Sequence, residues 1–224
     1  MRVGSGYGVT YAVAPSTYPV TLAEAKLHCR VDSDLTADDS LLSGLIAAAT
    51  EMAQRHTQRQ FVTAQLVMTF DRFPGRIFDH FRGSIEAVNR EGYDWGNFVD
   101  RSSIRLSRPP VQSVQSIVYL DQSGTLVTLP TSVYELDNTR EPARVGLKPS
   151  QFWPSTARSL SAVKVNYTAG YGAATAVPQA IKQAILLLVG SWYENREEIA
   201  AVEMKPIPRG AEALLDMYCF GEMR

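Results

Sequence analysis

The sequence predicts an α+β protein, an antiparallel helical bundle body carrying an inserted β-rich domain of antiparallel hairpins. Three observations predict it. Apolar residues recur at three- and four-residue steps in two separated stretches, one before residue 60 and one after residue 171, as amphipathic helices require. Between them lie short alternating runs rich in Val, Ile, Thr, Tyr and Phe, divided by turn residues. Only one strand leads straight into a helix, so the repeated strand–helix units of a parallel sheet are missing.

Taken in order, residues 1–17 are rich in Gly, Ser and Tyr and read as a flexible N-terminal arm. Residues 18–60 form the first part of the helical body. Thr21-Leu22-Ala23-Glu24 has the capping-box pattern, in which threonine and glutamate satisfy each other's orphan amides. The helix it starts extends to about Arg30, with Leu22, Ala25 and Cys29 along one side. An acidic connector, Asp32 to Ser40, follows. Thr36 to Asp39 reads as a second capping box, aspartate replacing glutamate, and opens a helix to about Thr57. Leu41, Leu42, Leu45, Ile46, Ala49, Met52 and Ala53 give that helix its stripe. Arg55 and His56 suit the negative end of its dipole.

Residues 61–170 form the β-rich insert. Phe61 to Phe73, Ile104 to Leu106, Val114 to Leu120 and Thr125 to Leu129 read as strands, the last two joined by the turn Asp121-Gln122-Ser123-Gly124. Val133 to Leu136 and Arg144 to Leu147 form another pair. Residues 74–100 hold Phe78, Phe81, Tyr93 and Trp95 without any period and read as a long excursion of the kind that is functional or disordered. The four aromatics are assigned to a protein interface.

The stretch from Val163 to Arg196 organises the chain. Val163, Val165 and Tyr167 alternate with Lys164, Asn166 and Thr168, the period of a half-buried strand. Gly170 and Gly172 end it, and Pro178 opens the central helix of the body, assigned to residues 171–199. Ile181, Ala184, Ile185, Leu188 and Trp192 mark one face, and Leu186, Leu187 and Val189 widen it. The expected core is Leu45 and Ile46 of the earlier helix against Ile181, Ile185, Leu188 and Trp192. Residues 200–224 read as a linker with two prolines and a short docking helix, with Leu214, Leu215 and Tyr218 as anchors on a partner protein.

Composition excludes several classes. The 224 residues are 45% hydrophobic and 20% charged, with a formal net charge of -1, which argues against a dedicated nucleic-acid binder. Two cysteines make neither a disulfide framework nor a zinc site, so a reducing cytoplasm is the natural setting. The first residues lack the apolar core of a signal peptide, and no run reaches the roughly 18–20 apolar residues of a membrane span.

No catalytic, cofactor or metal site emerges. Gly170-Tyr171-Gly172 lies between strand and helix, but Thr175 stands where a dinucleotide fingerprint needs its third glycine. Asp32, Asp34 and Asp38 begin a calcium-loop spacing, but Ala37 replaces its glycine and Ser43 its bidentate glutamate. His28, His56 and His80 are scattered, and no Gly-x-Ser-x-Gly elbow occurs.

Residues 18–26 (Tyr-Pro-Val-Thr-Leu-Ala-Glu-Ala-Lys), then Asp38-Asp39-Ser40-Leu41-Leu42 and Ile46-Ala47-Ala48-Ala49, resemble the opening of the head–tail connector (adaptor) family of tailed bacteriophages and prophages. Arg108-Pro109-Pro110-Val111 resembles that family's hairpin entry. Residues 177–185 with Trp192-Tyr193-Glu194-Asn195-Arg196 resemble its central helix, and Pro208-Arg209-Gly210-Ala211 its ending. The resemblance implies a non-enzymatic virion component at the head–tail junction, made in the host cytoplasm. It implies a homo-oligomeric ring, dodecameric on the portal protein, that docks stopper (head-completion) or tail proteins. Double-stranded DNA passes through such a lumen without sequence-specific binding, and no membrane is involved. The alternatives are a β-rich ligand- or nucleic-acid-binding module with helical flanks, and a small enzyme.

Overall fold

A computed structural model of the chain describes residues 7–74, 103–195 and 208–219. Helices and antiparallel sheets make an α+β fold. In chain order the elements are β1 (Tyr7–Val13), α1 (Leu22–His28), α2 (Asp39–Thr57), β2 (Ala64–Phe70), β3 (Ile104–Arg105) and β4 (Val111–Leu120). They continue with β5 (Leu126–Thr128), β6 (Tyr134–Asp137), β7 (Arg144–Leu147), β8 (Val163–Ala169), α3 (Gln179–Glu194) and α4 (Arg209–Asp216). One sheet has five strands in the order β1-β2-β8-β4-β5, and the other has three in the order β3-β7-β6.

The helices share one apolar core. Leu42, Ile46, Ala49 and Ala53 of α2 pack with Ile181, Ala184, Ile185, Leu188 and Val189 of α3, and with Ala211 and Leu215 of α4. Leu45 and Trp192 are partly buried at its margin. A second core lies between strands, where Leu66, Met68, Ile117, Val163, Val165 and Tyr167 meet Ile104, Tyr134 and Val145 of the smaller sheet. Phe73 closes one end of it, stacked on Trp153 with ring centroids 4.8 Å apart.

Local chemistry explains the boundaries. Thr21 caps α1 in a full capping box: Glu24 N–H donates to Thr21 Oγ1 at 3.2 Å and Thr21 N–H to Glu24 Oε2 at 2.7 Å. The second expected box does not form. Asp38 is the N-cap of α2 without a side-chain cap bond, and Asp39 pairs instead with Lys26 Nζ at 2.5 Å. Lys26, 6% exposed, needs that partner because a buried charge left alone is costly. It also donates to the carbonyls of Ser33 and Leu35, at 3.3 and 2.8 Å, and so pins the acidic connector.

Two further expectations need correction. Residues 7–13 are not a flexible arm but β1, an edge strand in register with β2 from Tyr7 opposite Phe70 to Tyr11 opposite Leu66. The large sheet therefore draws on chain outside residues 61–170, and β8 sits at its centre. Residue 170 must be glycine: its φ is +126°, and an added Cβ would lie 2.7 Å from the Thr63 backbone.

Candidate functional site

The outward face of the large sheet follows from the alternation of β8. Val163, Val165, Tyr167 and Ala169 point inward and are buried, so Lys164, Asn166 and Thr168 point outward. Strand register sets Thr69, Val67 and Gln65 of β2 beside them on one side, and Val118, Ser116 and Ser113 of β4 on the other. Asn166 Nδ2 donates to Ser116 Oγ at 2.9 Å, and Gln115 Nε2 donates to Thr168 Oγ1. At the same end Gln112 Nε2 donates to Thr63 Oγ1 at 2.9 Å and to the Gly170 carbonyl at 2.7 Å. Lys164 is the one charge among these β2, β4 and β8 residues. This surface is internally hydrogen-bonded, and none of these bonds joins one of its hydroxyls to a histidine or a carboxylate.

A second cluster joins α4 to the end of α2. His56 Nε2 lies 2.7 Å from Asp216 Oδ1, and Cys219 Sγ donates to the His56 carbonyl at 3.5 Å. Arg59 Nε donates to the Tyr218 carbonyl at 2.5 Å, while its two terminal nitrogens grip Glu141 at 2.9 and 2.5 Å. Sequence spacing could not reveal this, because the partners are 82 to 163 residues apart. The donor atoms of His56, Asp216 and Cys219 lie within 4.8 Å of one another and could face a cation. Burial, then the Asp216 carboxylate, pushes the Cys219 thiol up, which favours the protonated form over the thiolate a metal needs. Mutual hydrogen bonds already satisfy the cluster. It reads as a clasp between helix ends.

A cleft of about 350 Å³ lies beside α3, lined by His28, Cys29, Gly190, Glu194 and Pro208 among others. Burial, then Glu194, pushes the Cys29 thiol up, so it is no activated nucleophile. Gly170 and Gly172 serve a turn against Thr63 and a short 3₁₀ segment, rather than a phosphate loop. Asp38 accepts from the Tyr193 hydroxyl at 2.6 Å and is engaged in helix packing.

Of the residues assigned from sequence to the core, Ile46, Ile181, Ile185 and Leu188 are buried, and Leu45 and Trp192 half-buried. Of those assigned to an interface, Phe78, Phe81, Tyr93 and Trp95 lie outside the described residues. Leu215 is fully buried in the chain's own core, with Leu214 and Tyr218 packed at its margin. Leu215 is therefore core of this chain rather than an anchor on a partner, while Leu214 and Tyr218 stay half-exposed beside it.

The model of the phage gp6-like head-tail connector protein family matches residues 19–80. That stretch contains α1, α2 and β2, with the three opening segments on which the resemblance rests, the first of them from Pro19 on. No curated protein matches the chain. Three solved structures share its fold at 20% sequence identity. The virion of a native gene transfer agent particle aligns over 96% of this chain and 97% of its own, with a TM-score of 0.70. The neck of the empty particle, computed with C6 symmetry, aligns over 97% of both chains at 0.70. The neck of the native particle, computed with C12 symmetry, does so at 0.61.

Proposed function

We propose that this protein is a head–tail connector. Twelve copies form a ring beneath the portal, extend the DNA channel and offer a docking face to stopper or tail proteins. The observation that carries this reading is the whole-chain likeness to subunits of a gene transfer agent neck, together with the connector-family match at residues 19–80. The chemistry supports it. The described residues present an internally hydrogen-bonded sheet face and a structural clasp, with no assembled catalytic set among them. A net charge of -1 also suits a conduit, since a strongly cationic lumen would hold a passing duplex through many phosphate contacts.

Partners beyond the ring are the portal on one side and head-completion or tail proteins on the other. Phe78, Phe81, Tyr93 and Trp95 are proposed as contacts with a neighbouring chain; replacing all four with serine is expected to weaken assembly and leave the melting temperature unchanged. The decisive experiment mixes the purified chain with portal rings of the same particle and images the product by electron microscopy. A twelve-fold density on the portal's tail-facing end is expected. A chain that never sediments with the portal overturns the reading.

A further inference from the structure

A sheet edge exposes a row of unpaired N–H and C=O groups, and monomeric proteins blunt such edges with brevity, charge or proline. The described sheets end in four edge strands, β1, β5, β3 and β6. β3 has two residues, one of them Arg105. β6 carries Glu135 and Asp137 within its four residues. β5 has only three residues. β1 has none of these safeguards: its seven residues, Tyr7 to Val13, include no charge and no proline. Its register shift lies between Tyr11 and Val13 and leaves Tyr7 to Tyr11 regular. Tyr7, Tyr11 and Val13 are 40%, 41% and 55% exposed.

This edge is also held in place. The Tyr11 hydroxyl donates to Gln60 Oε1 at 3.0 Å and accepts from Arg108 at 2.9 Å. Gln60 is fully buried and donates in turn to the Val62 carbonyl at 2.9 Å. The Arg108 guanidinium sits 5.3 Å from the Tyr11 ring centre. A strand fixed before its partner arrives loses little further freedom on pairing.

We propose that the outer edge of β1 pairs with an extended segment of a second copy of this chain, so that the five-stranded sheet continues across a subunit boundary. The inference rests on the ring reading above, which supplies the second copy. A ring subunit meets its two neighbours through unlike surfaces, so the added strand is not β1 itself; two β1 edges meeting would close a pair and end growth.

The test compares hydrogen exchange at Tyr7 to Val13 in the dilute monomer and in the full-length assembly, alone or on portal rings. The β1 amides that do not donate to β2 are expected to exchange fast in the monomer and on the order of a hundredfold more slowly in the assembly. In parallel, Thr10→Lys places a charge on this exposed edge position, and Thr10→Val keeps the strand character there. Thr10→Lys is expected to raise the concentration for half-assembly at least about tenfold. Thr10→Val is expected to leave it within about twofold, both variants melting like the parent. An assembly that forms with β1 amides as fast as in the monomer overturns this inference and leaves the ring standing. Equal assembly of Thr10→Lys and Thr10→Val does the same. A chain that stays monomeric throughout, with and without portal, overturns both.

Discussion

Helices α3 and α4 lie against each other, yet they are held by different forces. α3 buries Ile181, Ala184, Ile185, Leu188 and Val189, and takes its place by apolar burial on several sides. α4 buries only Ala211 and Leu215. Leu214 and Tyr218 add apolar contact at the core margin, and polar bonds complete the attachment: Asp216 to His56, the Tyr218 carbonyl to Arg59, and Arg59 onward to Glu141. The contrast shows how helices of different length earn their positions. Sixteen residues of α3 present a wide apolar surface, whereas the eight of α4 need directional bonds to supplement a narrow one.

The largest expected effect tests the apolar side of this contrast. Leu188→Ala should cost about 2–5 kcal/mol, because a fully buried side chain leaves a cavity. In a chain of this size that lowers the melting temperature by roughly 5–15 °C. An unchanged melting temperature would mean that this face of α3 is not core.

Leu215→Ala comes next, at about 2 kcal/mol, the lower end of the same range, because a short helix near the chain end can settle into the space. Hydrogen exchange should rise first across α4. If exchange rises equally in α3, the two helices are one cooperative unit and the contrast fails.

Arg59→Ala isolates the polar side. It removes the grip on Glu141 and on the Tyr218 carbonyl, and should loosen α4 by about 1–2 kcal/mol, discounted because Glu141 is 41% exposed. Faster exchange in α4 with α3 unaffected is the expected reading. Uniform destabilisation would show instead that Arg59 serves the whole fold.

The smallest effect lies in the β6–β7 pair. Asp137 is held at about 2, below the usual carboxylate value, first by the Thr139 hydroxyl and then by Arg144. A lowered pKa contributes stability above the unfolded value near 3.8, and that contribution is lost as pH falls through about 2. The β6–β7 pair should loosen over that window, followed by tryptophan or amide signals. Asp137→Asn should flatten this part of the acid profile. A profile unchanged by the substitution would place the acid-sensitive contact elsewhere.

Much of the fold was legible because local pattern carries it. The alternation of Val163, Val165 and Tyr167 set the inward face of β8, and the Thr21–Glu24 box set the start of α1. The Leu42, Ile46, Ala49 and Ala53 stripe likewise marked the buried side of α2. The alternation in Tyr7, Val9 and Tyr11 was equally local, but the glycines around it made the segment look like a free arm. Its edge-strand role depends on β2, which begins at Ala64.

The sequence by itself determined the elements and which face of each is apolar, since periods of 2 and 3.6 residues are written into neighbouring positions. Tertiary structure alone decided the rest. It diverted Asp39 from capping α2 to neutralising Lys26, because a lysine buried at 6% exposure cannot remain unpaired. It turned the α4 face onto α3 and closed the His56–Asp216 clasp across 160 residues. It also gathered isolated outward residues of β2, β4 and β8 into one mostly polar face with Lys164 as its one charge. Such contacts depend on where distant segments meet, and that is set by how two cores close, not by any period along the chain.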